Sequence, residues 1–479
     1  MSVSNTLQKD VVILGGGLAG LACADELLRK LPKKPKVLVL EKTDHVGGLA
    51  ATFKHNGFRF DIGPHRWVTK IKEVDRWFKK LMGKRLIRVP RLTRIYFDKK
   101  FFYYPMQFKN VFRLGLGTAF RGVLDYFWIR LKTKIKKPNV VSMEDAYINQ
   151  FGRTLYEKFF RRYSEKLWGR KCSQLSGDWV AQRSRRMSLL TIIKDVFIRS
   201  RGKVVSLADS FLYPQLGIGE ATEELKKEIE KRGGKIILGT EVVKVNRQKG
   251  KIVSLNIRKR NEHQTIKADE FISSIPLTDL VKIISPAAPK DVLQAANKLG
   301  YRSLVFVALL VNGTKFFPDN WIYVHPPEIP FIRFVETDNF SSKMSPPGKT
   351  SFVFEVSCDE GDEIWRKSDQ ELIDLVTKSF LSEFGVVKKK EIIKGVVVRY
   401  SKAYPIYSLD YQKPLKKIKK FVYQFSNLQI VGRYGMFRYN NMDHTILTGI
   451  YAARNVMGGK FDVESVNVEQ EYLEEKRIK

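Results

Sequence analysis

Cysteine is nearly absent from this chain of 479 residues: Cys23, Cys172 and Cys358 are the only three. They are too few and too scattered for a disulfide framework or a zinc site, so buried reduced thiols are expected. Among the six histidines there is no HxxxH pair, and no CxxC occurs, so no metal centre is expected. Long apolar runs are missing too. No stretch of about 18 uncharged apolar residues exists, which argues against a membrane-spanning helix. The nearest candidate, Phe101 to Ile129, is broken by Lys109, Arg113, Arg121 and Asp125. The polar start MSVSNTLQKD leads straight into a strand pattern, so no secretory leader is expected and a cytoplasmic location is. Acidic residues are scarce: 50 against 86 basic ones, a formal net charge of +36. That excess calls for an anionic partner, whether lipid headgroups, nucleic acid or a phosphorylated substrate. No nucleic-acid-binding signature accompanies it, so nucleic acid is not expected.

What the chain does have is 43% hydrophobic and 12% aromatic residues, enough for a substantial core and incompatible with disorder. Its length suits two or three domains or one composite domain. With no internal repeat and no Gly/Ser-rich linker, the domains are expected to interleave.

Val11 to Leu14 is a continuous apolar run, the mark of a buried parallel strand. Leu18 to Lys30 has helical periodicity, and Lys36 to Leu40 is a second short strand ending at Glu41. This βαβ unit carries Gly15, Gly17 and Gly20 as G-x-G-x-x-G at the strand–helix turn, with Leu18 and Ala19 opening the helix. The first glycine permits the turn, the second lets backbone approach a pyrophosphate, and the third lets helix and strand pack closely. Glu41 stands where a carboxylate accepts both ribose hydroxyls, which disfavours a 2′-phosphate. Directly after Glu41 and Lys42, a second glycine pair, Gly47 and Gly48, followed by Leu49, lets the backbone follow a longer ligand such as FAD.

The segment GGLAATFKHNGFRFDIGPHRW, residues 47–67, resembles the superfamily of flavin-containing amine oxidases, protoporphyrinogen oxidases and UDP-galactopyranose mutases. The resemblance implies FAD as cofactor, with Gly63, Pro64 and His65 beside the ribityl chain and flavin ring, and His65 as a candidate catalytic group. Three later segments are similar to the mutase branch. Tyr163-Ser-Glu-Lys-Leu-Trp168-Gly169 implies aromatics around a nucleotide-sugar cleft, and Tyr301-Arg302-Ser-Leu an arginine for a diphosphate. Gly432-Arg433-Tyr-Gly-Met-Phe-Arg438-Tyr439-Asn-Asn-Met442-Asp443 resembles the signature near the flavin. Arginine suits such roles because its planar fork holds phosphate oxygens bidentately. The implied set is thus Arg302 and Arg433 as catalytic candidates, Gly432, Arg433, Asp443 and Val243 at the cofactor, and Tyr163, Trp168, Arg302 and Tyr439 at the substrate. Two segments depart from that branch: Phe331 to Phe340 does not match its Asn-Glu-Pro pattern, and Phe211 to Gly219 is closer to the oxidases and phytoene desaturases.

Residues 66–137 hold 21 basic and 4 acidic residues. The aromatic cluster Phe101 to Tyr104 and the run FRGVLDYFWIRLKTKIK from Phe120 to Lys136 give that stretch the pattern of a segment lying in anionic headgroups. Peripheral contact with the inner face of a membrane is therefore an expectation, beside the alternative of a substrate-domain helix packed inward.

The expected fold class is α/β: a Rossmann-like FAD domain of the two-dinucleotide-binding type, with an interleaved mixed-sheet substrate domain and a helical insertion. The FAD domain is expected from residues 8–70, 205–275 and 415–460. A helical, basic region is expected over 71–204, a substrate-domain sheet over 276–414, and a charged tail over 461–479. The function this implies is an FAD-dependent oxidoreductase acting on a small-molecule substrate of bulky or amphiphilic character. The alternative is a flavin-dependent nucleotide-sugar isomerase resembling UDP-galactopyranose mutase, and a lesser one a non-enzymatic prenyl- or lipid-binding escort. Oligomeric state is left open.

Overall fold

A computed structural model describes residues 6–31, 35–104, 115–135, 138–184 and 210–467. The stretches of the expected helical region and tail beyond these limits lie outside the described residues.

The apolar run near the N-terminus forms the strand Thr6–Leu14, at the centre of an eight-stranded sheet. It pairs in parallel with Val37–Leu40 on one side and Glu262–Ser273 on the other. Lys235–Ile237 closes the Val37–Leu40 edge in parallel, and Leu428–Ile430 adds in parallel to the end of Glu262–Ser273. Antiparallel strands Thr240–Gln248 and Lys251–Lys259 extend the sheet to Ile284–Ser285. The helix Leu18–Lys30 is buried from Leu18 to Leu28, because the sheet covers one side and the helix Met442–Val456 the other. Inside it, Asp25 pairs with Arg232 at 2.7 Å and Glu26 with Arg454 at 3.1 Å, so neither buried carboxylate is left without a cation.

A second, seven-stranded sheet runs in the order Ile392–Pro405, Tyr301–Asn312, Lys349–Cys358, Arg333–Glu336, Trp321–Val324, Thr93–Phe97, Lys100–Tyr103. Side chains alternate across it with period two. Val305, Val307 and Leu309 face a phenylalanine-rich core with Val376 and Phe380 of the helix Asp369–Phe384, while Leu304, Phe306 and Ala308 face the nucleotide domain.

The sheets divide at places other than those expected. Ile284–Ser285 still belongs to the first sheet, whereas Ser210–Pro214 leaves it to pair with Leu86–Pro90. The basic stretch is not uniformly helical, since Thr93–Phe97 and Lys100–Tyr103 form a hairpin in the second sheet. Phe102 of that hairpin is buried and Phe101 packs against Tyr96, Phe317 and Phe384, so these two build core, while Tyr103 is exposed. Short alternating strands of four or five residues are masked there by the frequent lysines and arginines.

Candidate functional site

The two sheets meet at a cavity of about 310 Å³. One end is built from glycine turns. Gly15 has φ +103°, and a Cβ there would fall 2.3 Å from Ser274 Oγ. A Cβ on Gly20 would fall 2.1 Å from the Gly15 carbonyl oxygen. These two shape the turn without lining the cavity. Gly17 does line it, and a Cβ at Gly17 would meet nothing closer than the Gly47 carbonyl at 4.0 Å, so the space beside it is open to a ligand. Gly47 docks on the turn by donating to the Gly16 carbonyl at 2.9 Å, which brings Gly48 and Leu49 alongside Leu18 and Ala19.

Two helices start at this end. Gly17 heads Leu18–Lys30 with no side-chain cap and no acid in its first turn. Asn441 heads Met442–Val456, again without a side-chain cap. The first N–H groups of Leu18–Lys30 are therefore available to an anion in positive potential, whereas in Met442–Val456 the first-turn Asp443 takes the His444 N–H at 2.9 Å. Gly432 and Asp443 stand beside them, and Asp443 accepts from Thr69 Oγ1 at 2.7 Å.

Gly63, Pro64 and His65 form the middle of the wall. His65 Nδ1 is buried with no hydrogen-bond partner, 4.0 Å from Asp61 Oδ2. Burial, with the nearby charges of Arg433 and Arg333, depresses the imidazole to about 3, so it is neutral near pH 7.

The other end is aromatic and basic. Trp321 and Tyr323 come from one strand, Phe306 and Tyr404 from two others, and Tyr104 from the end of the hairpin. Arg66 lies 5.6 Å from the Trp321 ring centre. Arg333 is held by Glu355, donating through Nε at 2.7 Å and Nη2 at 2.5 Å. Burial opposes its charge, but the fully buried Glu355 carboxylate outweighs that and keeps it protonated. Arg333 itself lines the cavity.

Several expected site residues lie elsewhere. Arg302 is buried, bonded to Asp359 at 2.8 Å and to Leu167 O and Ser357 Oγ at 2.9 Å, and does not line the cavity. Trp168 packs edge-on against Trp179 in the core. Tyr163 stacks on His325 behind Tyr323. Tyr439 does line the cavity, as does Arg433, but the Arg433 fork is spent on main-chain carbonyls: Nε and Nη2 donate to Asn440 O at 3.1 and 2.8 Å, and Nη1 to Ala403 O at 3.4 Å. Of the outer cofactor set, Glu41 takes the Gly16 N–H at 2.7 Å, Lys42 points to Glu241 on the surface, and Val243 is skipped in the register of its strand pair.

Sequence reasoning missed Arg333, Arg66, Trp321, Tyr323 and Tyr104. Arg66 adjoins the Gly-Pro-His segment and was reachable on that ground. The others sit on short strands whose facing direction becomes visible only when the second sheet is assembled.

A glycine cradle with an open helix end, joined to an aromatic chamber at a second sheet, defines a dinucleotide-binding flavoprotein. The chain belongs to the family of flavin containing amine oxidoreductases, whose model matches residues 18–457. Its cofactor is FAD, and the open space at Gly17 with the uncapped helix starts fits the group; Gly17, Gly47, Gly48, Gly432 and Asp443 would hold it. Coproporphyrinogen III oxidase of Bacillus subtilis (strain 168) is 20% identical over 446 residues, 86% of this chain and 90% of that protein. All-trans-retinol 13,14-reductase of Danio rerio is 54% identical over 56 residues, 12% of this chain and only 9% of that protein. Reduced UDP-galactopyranose mutase superposes with a TM-score of 0.80 at 21% identity, covering 96% of this chain and 98% of the other. Putrescine oxidase bound to putrescine superposes at 0.61 and 16% identity, covering 95% and 100%. At such identities the likeness is one of fold. No helix among the described residues is long and apolar enough to cross a membrane.

Proposed function

We propose that this chain is an FAD-dependent oxidoreductase that removes a hydride from a bulky, amphiphilic substrate. The observation that carries the reading is the continuity of the glycine cradle with a chamber walled by Trp321, Tyr323, Tyr104 and Phe306. Aromatic walls bind a bulky body by area and exclude water, while Arg66 and Arg333 at the same end suit an anionic substituent. When bound, FAD supplies the acceptor for the hydride and its electron pair. His65, neutral and in the wall between the two ends, is placed to hydrogen-bond the substrate; held at about 3, it does not keep the proton that the substrate sheds, which passes to solvent. Anaerobic mixing with carboxylated tetrapyrrole precursors, polyenes and amines should bleach the flavin absorbance with one of these classes; bleaching by none of them rejects the reading.

A second reading, a nucleotide-sugar isomerase, draws on Arg333, a guanidinium in the wall of an aromatic chamber as a diphosphate beside a base would require. Against it, Arg302 is bound to Asp359 and Arg433 to carbonyls, so neither has a fork to offer. Ring contraction of UDP-galactose under dithionite, with no net oxidation, would establish the isomerase. The escort reading predicts a protein purified without flavin.

A further inference from the structure

The helix Leu116–Ile135 turns an apolar face to solvent. Phe120 is 67% exposed, Trp128 59% and Ile135 80%, and Val123, Leu124, Phe127 and Leu131 are exposed between them. At 3.6 residues per turn these seven positions fall within an arc of about 140°. Soluble helices place such a stripe inward, and an exposed patch of this kind marks an interaction surface. The opposite face is already occupied. Tyr126 is buried, and Gly122 approaches Leu155 closely enough that a Cβ would sit 3.6 Å from it. Asp125, the only acid on the helix, accepts from Thr154 N at 2.9 Å and is turned away from the apolar stripe.

Basic groups border the stripe. Arg121 and Lys132 are exposed along one margin, and Lys132 Nζ lies 5.3 Å from the Trp128 ring centre. Basic margins around an aromatic and aliphatic face are the arrangement that places rings among acyl chains and cations among phosphates. A second copy of the chain fits poorly, because pairing the stripes would bring these margins together on molecules of net charge +36. The helix is also coupled to the cavity. Leu155, on which it rests, clusters with Phe159; Phe159 meets the Phe102 ring at 6.1 Å, and that hairpin ends at Tyr104 in the chamber wall.

We infer that Leu116–Ile135 is a membrane-docking helix whose Phe120–Trp128–Ile135 face enters the headgroup boundary of an anionic bilayer, an assignment that rests on the reading of an amphiphilic substrate. The test is cosedimentation of the full-chain holoenzyme with phosphatidylcholine vesicles, with and without phosphatidylglycerol. Binding should require phosphatidylglycerol and weaken with added salt. Combining Phe127→Ser with Trp128→Ser should lower partitioning about tenfold or more at unchanged flavin content. Combining Arg121→Glu with Lys132→Glu should abolish the preference for phosphatidylglycerol. The inference is overturned if the holoenzyme stays in the supernatant with both vesicle types, or if the double serine variant partitions like the parent. A dimer in light scattering that the serine variant dissociates also overturns it, since the face then belongs to a second copy. Flavin bleaching in vesicle-free buffer separates the two readings. Failure to bind vesicles with intact bleaching sinks the helix assignment alone, and vesicle binding with an unreactive flavin sinks the redox reading alone.

Discussion

Arg333 and Glu355 form a two-bond ion pair across neighbouring strands of the second sheet, with Glu355 wholly buried and Arg333 bordering the cavity. The pair keeps a guanidinium fixed at a site where an ammonium on a flexible stem would wander. It also sets the penalty for disturbing either member.

Glu355→Ala should destabilise the protein by about 3–5 kcal/mol, because it leaves a buried cation uncompensated. Arg333→Met combined with Glu355→Leu should recover much of that loss while remaining catalytically poor. Chemical denaturation of the three proteins checks this; a double variant no more stable than Glu355→Ala would show that the pair does more than cancel charge.

Gly17 and Gly20 should separate cofactor binding from folding. Gly17→Val has room at its own Cβ and should fold, yet it fills the space beside the open helix start and should not retain FAD. Gly20→Ala drives a methyl into the Gly15 carbonyl and should lower the melting temperature of the apoprotein. Flavin absorbance and apoprotein melting, measured on both variants, should show opposite orders of severity.

Arg433→Lys should weaken FAD retention. A lysine cannot reach the carbonyls of Asn440 and Ala403 together, and hydrogen bonds from a charged donor are worth about 1–3 kcal/mol each. The segment that leads from Gly432 to Asp443 would then lose its anchor. An FAD dissociation constant equal to the parent's, with a raised KM for substrate, would restore the phosphate-clamp role that the motif alone suggests.

His65 should give a pH signature. Its folded value of about 3 lies below the ordinary 6.5, so between these limits the unfolded chain takes up a proton that the folded one refuses. The contribution is therefore complete above pH 6.5 and is lost as pH falls towards 3, by about 1.4 kcal/mol per unit. Asp61 runs the other way: burial raises its carboxyl to about 6, so the folded chain holds a proton that the unfolded one releases. The two offset each other in the parent. Unfolding of apo His65→Gln against the parent at pH 7 and pH 4.5 isolates the histidine, and the variant should gain on the parent at the lower pH. A constant difference would mean the imidazole is not buried as described.

The start of the nucleotide-binding half was legible because its first strand is a continuous apolar run ending in glycine, a pattern that depends only on neighbours in the chain. Val11 to Leu14 and Val37 to Leu40 form the two strands read there, side by side in one sheet. The substrate end was less legible. Tyr-Arg-Ser-Leu and Tyr-Ser-Glu-Lys-Leu-Trp are recognisable motifs, yet Arg302 and Trp168 serve packing, because Asp359, far along the chain, and Trp179, on a nearby helix, claim them. Arg333 was hidden for the converse reason. Nothing near it in the sequence marks it, and its role comes from Glu355 on the adjacent strand. The aromatics at 101–104 and 126–128 looked alike as composition; only packing distinguishes the buried Phe102 and Tyr126 from the exposed Phe127 and Trp128.

Gly449 crosses Ala19 so closely that a Cβ would fall 2.1 Å from the Ala19 carbonyl oxygen, and Gly432 presses on the same residue. One wall of the cradle thus leaves the ribosome long before its facing wall. A nascent chain lacking residues 432–449 has the glycine turn without the helix that closes it. Stalled chains released before this point should emerge colourless, and those released after it should take up flavin. Cofactor capture is then a report that synthesis has passed residue 449, and quality control that senses the cradle would have nothing to sense before that point.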